Sequence, residues 1–325
     1  MSGSTQTLGT SAPPGQATGG ADVAPRRPRR RYSLLTRRDK LTLGLMIGIP
    51  TFLCIALIWL PTIASILLSF TNWRGITGIT ANNIVGLKNY QTLFTTYPFF
   101  WPAVAHNVLW LLFFVFIATP LGIFLAVLLD REMRGTRIYQ SVFFIPVVLS
   151  LAVVGFIWQL IYTSQGFINS VLGTTNQDNV IDWLGNPNLN IWAVLVAASW
   201  RHVGYIMVLY LAGLKSVDPT LREAAAIDGA SPRQTFFRVV FPVMQPINVV
   251  VIVVTVIESL RAFDIAYIIN RGKNGLELLS ILITNNSISE ASLIGFGSAI
   301  AVVLLVISLV PIVIFLVRVM RTDTT

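Results

Sequence analysis

Six long apolar runs constrain the fold of this chain more than any other feature. Each run is close to the roughly 20 residues that an α-helix needs to cross the hydrocarbon of a bilayer. A chain that is 54% hydrophobic and only 11% charged is not expected to form a soluble globular domain. The sequence therefore predicts an all-α membrane protein, with a six-span domain over residues 41–322. Its six predicted transmembrane helices cover residues 43–69, 104–129, 139–162, 191–214, 243–266 and 295–318.

The first 40 residues differ in composition from the rest. They are rich in Gly, Ser, Thr and Pro and then in arginine, from Arg26 to Arg38. Such a segment cannot bury enough apolar area to fold, so residues 1–40 are predicted to be a disordered basic tail. The single cysteine, Cys54, excludes a disulfide within the chain.

The basic residues predict how the helices are oriented. If the N-terminus is placed inside, 17 of the 23 lysines and arginines fall in inner segments, 4 in outer loops and 2 within spans. Cytoplasmic loops carry an excess of Lys and Arg. Both termini, and the loop over residues 216–242, are therefore predicted to be cytoplasmic.

The loop over residues 216–242 is the longest polar interruption in the second half of the chain, and it is predicted to form two short helices joined by a glycine. Asp218 can cap the first helix, and Gly229 can end it in a left-handed conformation. Ser231 and Gln234 have the spacing of a capping box for the second. This helix–Gly–helix segment, called the elbow below, suits either a docking element or an ordinary connector between two spans.

The residues of the elbow resemble a known family motif. Glu223-Ala224-Ala225, Gly229, Val239 and Phe241-Pro242 keep the order and spacing of the EAA loop of binding-protein-dependent ABC import permeases. In that family the loop is the coupling helix that docks into a cleft of the ATPase subunit. The resemblance therefore implies that the docking residues are Glu223, Ala224, Ala225, Asp228 and Gly229.

The resemblance extends over roughly residues 43–320 and is closest to the carbohydrate-uptake (maltose and oligosaccharide) permeases. Supporting segments are Gly86–Tyr90, Phe143–Pro146 and Phe263-Asp264 with Tyr267, whereas Asn270–Gly275 departs from the T-x-G-G-P common in the family. The resemblance implies a permease subunit of a bacterial inner-membrane importer, which forms half of the path for a di- or oligosaccharide. It further implies three kinds of partner: a second homologous permease, an ABC ATPase dimer and an extracytoplasmic solute-binding protein.

No motif for nucleotide binding or catalysis accompanies these features. The sequence has no G-x4-G-K-[ST] and no G-x-S-x-G, and His106 and His202 are unaccompanied by a metal-binding pattern. We therefore expect no catalytic residue, cofactor or metal in this chain, with ATP bound by partner subunits. Both histidines are interpreted as hydrogen-bonded structural residues.

Ionisable residues inside the predicted spans are candidates for the translocation path, because charges in a bilayer usually face a bundle interior or water. They are Arg201 in span four, beside Trp200, and Glu258, Arg261 and Asp264 in span five. The last three follow one another at intervals of three residues, which predicts one helix face. They could form a ladder of salt bridges with one another, or they could bind a polar solute while Trp200 stacks on a sugar.

Other functions stay open on the sequence alone. Arg201 and Arg261 could instead attract the anion of glycerol phosphate or of a glycerophosphodiester. An ion-coupled secondary transporter would favour repeated halves, which are not visible here. A membrane-embedded enzyme is disfavoured because the sequence shows no catalytic motif. Nucleic-acid binding is disfavoured because the basic tail has no accompanying fold.

Overall fold

The computed structural model describes residues 36–76, 78–131, 134–176, 179–288 and 292–322. Nearly all of the predicted basic tail therefore lies outside the described residues. Within them the chain is helical, apart from loops and an isolated antiparallel bridge between Thr71 and Ile84. The predicted all-α architecture is confirmed for this part of the chain.

The α-helices follow one another in a single series. Their bounds are α1 Arg37–Cys54, α2 Leu60–Leu68, α3 Lys88–Thr95, α4 Phe100–Phe113, α5 Thr119–Leu129, α6 Thr136–Val148, α7 Leu151–Ile161, α8 Phe167–Leu172, α9 Asn190–Ser216, α10 Pro219–Ile227, α11 Pro232–Thr235, α12 Phe241–Val243, α13 Gln245–Leu260, α14 Asp264–Asn270, α15 Leu279–Ser287 and α16 Ile294–Thr322. Three π-helical segments, Ile55–Trp59, Phe114–Ala118 and Phe236–Val240, interrupt the series, and Ala81–Asn83 is a 3₁₀ turn.

Four continuous helices in the described residues are long and apolar enough to cross a membrane. Two further candidates are pairs of helices bent at a short break, by 102° and 79°, so the total is six if each pair counts as one span. The continuous helices are Arg38–Leu68, Phe100–Leu129, Asn190–Ser216 and Ile294–Ile314, and the bent pairs are Thr136–Val148 with Leu151–Ile161 and Pro232–Val243 with Gln245–Asn270.

The first helix begins earlier than its apolar run. Thr36 accepts a hydrogen bond from the backbone N–H of Asp39, and the Asp39 carboxylate accepts one from the backbone N–H of Thr36. This reciprocal capping box satisfies two backbone donors that would otherwise lack partners. The helix therefore starts at Arg37, inside the stretch predicted to be disordered up to residue 40.

The bends have identifiable local causes. In the first, the Ser150 hydroxyl accepts from the backbone N–H of Val153 and so starts a new helix directly after α6. In the second, Met244 leaves helical geometry with a ψ of 15°, and Pro246 stands at the start of α13, where its missing N–H is tolerated. The first bend therefore falls within predicted span three, whereas the second lies at the start of predicted span five.

Each π-helical segment is followed by a proline at the second position after it, namely Pro61, Pro120 and Pro242. A proline inside a helix removes one hydrogen bond and its ring pushes against the carbonyl four residues earlier. A π turn relieves that conflict because its hydrogen bond reaches back five residues, as from Phe241 N–H to Phe236 O. These three prolines therefore account for the three π turns, while Pro50, Pro146 and Pro311 stand within α-helices.

Helix α9 lies at the centre of the bundle and packs against α5 and α6 through glycines. A Cβ atom on Gly204 would collide with the carbonyl oxygen of Phe143 in α6. A Cβ atom on Gly122 in α5 would lie 2.8 Å from Ile206 Cβ in α9. Small residues at these crossings let the helix backbones approach closely, which is how helices associate in lipid.

Candidate functional site

The elbow between α9 and α13 has the helix–Gly–helix form that the sequence predicts. The Asp218 carboxylate caps α10 by accepting the Thr220 backbone N–H at 2.9 Å. This backbone hydrogen bond, supported by the Thr220 hydroxyl, holds the pKa of Asp218 below its ordinary value. Ser231 caps α11 through a reciprocal capping box with Gln234. Both short helices therefore have fixed starts.

Gly229 ends α10 in the left-handed region, with a φ of 77°. The N–H of Gly229 donates to Ala226 O and the N–H of Ala230 to Ala225 O, so the last carbonyls of the helix are satisfied. A Cβ atom at this position would meet no heavy atom within 4 Å. The need for glycine therefore comes from backbone conformation rather than from crowding.

Arg222 attaches the elbow to the bundle. Its Nη1 lies 2.7 Å from Asp130 Oδ2 at the end of α5, and its Nη2 donates to Leu214 O in α9 at 3.1 Å. One guanidinium group thus joins α10 to the ends of two spans. Sequence reasoning missed this contact because Asp130 and Arg222 are 92 residues apart.

The predicted docking residues do not all face the same way. Glu223, Ala224, Asp228 and Gly229 are exposed, and the neighbouring Ile227 is 86% exposed. Ala225 is buried. The docking role of these residues stays a prediction, and the exposed Ile227 is an apolar residue that the prediction did not include.

The intramembrane charges line one cavity of about 270 Å³ among α4, α9, α13 and α14. Arg201, Glu258, Arg261 and Asp264 all contribute to its wall, together with His202. Two guanidinium groups thus stand with two carboxylates, so the formal charges of these four residues cancel. The structure brings together four of the five predicted path residues.

The predicted one-face ladder of salt bridges is wrong in its geometry. Helix α13 ends at Leu260, and α14 begins at Asp264, so Glu258 and Asp264 lie on different helices. Among the described residues, the ion pair in this cavity joins Arg201 Nη1 to Glu258 Oε2, across two helices and at 4.0 Å. At that distance the pair makes no hydrogen bond.

The fifth predicted path residue, Trp200, is not among the side chains that line this cavity. Its ring packs instead edge-on against Trp158, with centroids 5.9 Å apart. Phe263 does line the cavity and stacks on Tyr267 at 4.9 Å. The aromatic side chains of the cavity wall are therefore Trp110, Phe114, Tyr205 and Phe263, and Trp200 is not among them.

Two hydrogen-bond donors beside this cavity are buried without an acceptor in the described part of the chain. They are Arg201 Nε and Trp110 Nε1, and both residues line the cavity. A buried donor without a partner costs free energy. Hydroxyl groups of a bound solute are suitable acceptors for such donors.

A buried polar cluster lies beside the cavity and was not predicted. The hydroxyls of Thr119 in α5 and Thr255 in α13 are 3.0 Å apart, and each lies 3.3 Å from His202 Nε2 in α9.

The other histidine, His106, also has a hydrogen-bond partner. Its Nδ1 lies 2.9 Å from Glu277 O. Both histidines are therefore hydrogen-bonded, as their interpretation expects. Within the described ranges, no group of three or more His, Cys, Asp or Glu could hold a metal ion.

The sequence matches the family described as binding-protein-dependent transport system inner membrane component over residues 118–323, which is most of the chain. This chain belongs to that family. It is therefore a multi-pass permease subunit of a binding-protein-dependent ABC importer. Family membership decides against the ion-coupled transporter.

Individual relatives agree with this assignment. The permease is 32% identical to the xylose/arabinose import permease protein XacH of Haloferax volcanii, across 81% of its own length and 83% of the relative's. It is 30% identical to the trehalose/maltose transport system permease protein MalF of Thermococcus litoralis, across 73% of its own length and 80% of the relative's. Its fold matches a chain of a bacterial ABC transporter involved in the import of the acidic polysaccharide alginate, with a TM-score of 0.74 and 19% identity. The match covers 87% of this chain and 96% of that chain.

Proposed function

We propose that the permease forms half of the translocation path for a neutral sugar, a di- or oligosaccharide, in an ATP-driven importer. The observation that carries the proposal is the resemblance, at 30% identity or more over most of the chain, to permeases named for xylose/arabinose and for trehalose/maltose. These names favour a sugar over glycerol phosphate or a glycerophosphodiester.

The charge of the cavity supports a neutral solute. A phosphate group would be favoured by an excess of positive charge, whereas Arg201 and Arg261 are balanced here by Glu258 and Asp264. The ring of Phe263, which stacks on Tyr267, offers a flat apolar face of the kind that packs on the face of a sugar ring. We assign the solute contacts to Arg201, Glu258, Arg261 and Asp264.

We assign ATPase docking to the exposed part of the elbow. Glu223, Ala224, Asp228 and Gly229 present small and acidic groups beside the exposed Ile227. The two capped helices and the Arg222 anchor make this segment stiff enough to transmit a movement to α5 and α9. A rigid-body motion of the ATPases would then switch the spans between inward- and outward-facing arrangements.

The remaining partners and the orientation are part of the same proposal. A second homologous permease would complete the path, an ABC ATPase dimer would bind ATP, and an extracytoplasmic solute-binding protein would deliver the sugar. The excess of basic residues in the segments that share a side with the elbow supports cytoplasmic termini.

The test is transport by the assembled complex in proteoliposomes. We expect accumulation of a labelled disaccharide only when ATP and the solute-binding protein are present, and competition by unlabelled disaccharide but not by a glycerophosphodiester. Accumulation that needs a proton gradient but no ATP would contradict the proposal. Competition by the phosphodiester alone would contradict the assignment of a sugar.

A further inference from the structure

An apolar groove with a positively charged rim lies where α5 meets the second half of the elbow. Its volume is about 530 Å³, and its walls are formed by the end of α5 and by residues 232–241. The α5 wall is the end of the candidate span Phe100–Leu129, and the other wall belongs to Pro232–Val243, the first half of a bent candidate span. The groove is therefore placed at the boundary between the hydrocarbon and the aqueous phase.

The floor of the groove is aromatic because of a π turn. Phe236, Phe237 and Phe241 form a cluster in which all three ring centroids lie within 6.5 Å of one another. The hydrogen bond from Phe241 N–H to Phe236 O places these two rings one turn apart along the same side of the helix. Phe124 of α5 lies on the other wall and is 61% exposed.

The charged residues that line the rim, among those the structure describes, are both positive. They are Arg131, just beyond α5, and Arg233, in the first turn of α11. Asp130, which precedes Arg131 in the chain, is bound by Arg222 at 2.7 Å, and Glu132 lies outside the described residues. Arg131 and Arg233 are both exposed, so their guanidinium groups are available to an anion.

We propose that this groove binds an anionic phospholipid, with an acyl chain against Phe124 and the phenylalanine cluster and the phosphate between Arg131 and Arg233. The apolar walls of the groove suit a hydrocarbon chain, and the two guanidinium groups suit a phosphate that lies at the membrane surface. A bound lipid would connect α5 to the elbow by a second link, separate from the Arg222–Asp130 pair.

The proposal is tested by lipid retention. The purified permease, taken from nanodiscs of phosphatidylcholine with phosphatidylglycerol, is examined by native mass spectrometry for lipids that survive delipidation. We expect selective retention of phosphatidylglycerol by the wild type, and a loss on the order of thirtyfold in the Arg131→Gln/Arg233→Gln variant, since each arginine near an anionic surface contributes about a factor of five. The Arg137→Gln/Arg238→Gln variant removes the same charge from outside the groove and should retain phosphatidylglycerol.

A second measurement identifies the occupant in the assembled transporter. A photo-crosslinking residue at Phe124 should give lipid adducts. Crosslinks to a second permease or to an ATPase subunit instead of lipid would overturn the proposal, because the groove would then be a protein interface. Equal retention of the two lipids by the wild type would also overturn it, as would unchanged retention in the Arg131→Gln/Arg233→Gln variant.

Discussion

Arg222 of the elbow and Asp130 at the end of α5 are joined by a hydrogen-bonded ion pair of 2.7 Å. The Asp130 side chain is 15% exposed, and the same guanidinium group also donates to Leu214 O. Movement of α10 must therefore either carry α5 and α9 with it or break this pair. The same arginine thus ties the proposed docking surface to α5 through Asp130 and to α9, which lines the cavity, through Leu214.

Removal of either partner should destabilise the permease and weaken coupling. Because Arg222 is 37% exposed, solvent screening lowers the expected interaction, and a double-mutant cycle with Arg222→Ala and Asp130→Ala should give about 1–2 kcal/mol. Thermal unfolding of the purified variants measures it. Arg222→Lys should rescue little, since an ammonium group cannot reproduce the forked contact. Additive effects of the two single changes would show that the pair contributes nothing.

Substitution at Gly229 should act through backbone strain. At a φ of 77° a residue with a side chain costs about 1–2 kcal/mol, and asparagine tolerates this region better than valine. We expect Gly229→Val to reduce co-purification of the ATPase and Gly229→Asn to preserve most of it.

Gly173 provides the matched control for that experiment. It also has a left-handed conformation, with a φ of 70°, and open space around its Cβ position, but it ends α8 away from the elbow. Gly173→Val should carry a similar strain and leave ATPase binding unchanged. Equal losses in the two valine variants would indicate general misfolding rather than a docking role for Gly229.

The cavity charges should be needed for transport but not for assembly. Loss of a charge-assisted hydrogen bond of about 1.5–3 kcal/mol to the solute predicts that Glu258→Gln and Arg261→Ala each lower sugar uptake by about tenfold or more. The measurement is uptake into proteoliposomes, with complex assembly checked by size-exclusion chromatography. Lys273→Ala removes an exposed charge outside this cavity and should transport normally. Normal uptake by both cavity variants would remove these residues from the path.

The cluster around His202 should stabilise the bundle. The Thr255 hydroxyl donates its proton to Val251 O at 2.7 Å. Towards Thr119 and His202 its oxygen can therefore act only as an acceptor. Thr255→Val keeps the shape of the side chain but removes its hydrogen bond to Val251 O and its contact with Thr119 and His202, at a cost of about 1–3 kcal/mol in total. Thermal unfolding should therefore show a lower midpoint. Thr284→Val is the control, because that hydroxyl makes a single local bond to Ser280 O. Equal midpoints in the two variants would contradict the role of the cluster.

Local signals in the sequence predicted the elbow well, because capping depends on residues that are close together in the chain. Asp218, Gly229 and Ser231 all act as their neighbours in the sequence indicate. Contacts between distant segments gave no such signal. The Arg222–Asp130 pair and the Thr119–Thr255 contact join residues 92 and 136 positions apart, so only the packing of the helices reveals them.

Periodicity also failed where a helix breaks. The spacing of Glu258 and Asp264 indicated a shared face only on the assumption that one helix continued through them. The helix is interrupted between α13 and α14, and the Ser280 hydroxyl of α15 donates to Ala262 O in this gap. In a continuous helix that carbonyl would accept from a backbone N–H instead. The four charged residues do line one cavity, but they do not share the single helix face that their spacing indicated.

The π turn at Phe236–Val240 links the lipid groove to chain length in a way that residue identity alone does not. A π turn corresponds to an α-helix that has gained one residue. With the same residues in plain α geometry, Phe241 would lie about 140° around the helix from Phe236 and would turn away from it. A relative of equal length that lacks a proline at the position of Pro242 should therefore lose the groove, whereas a relative one residue shorter would hold the two rings four positions apart on one helix face. Segment length and proline position together, more than the phenylalanines alone, are expected to decide which members of the family hold a lipid at this position.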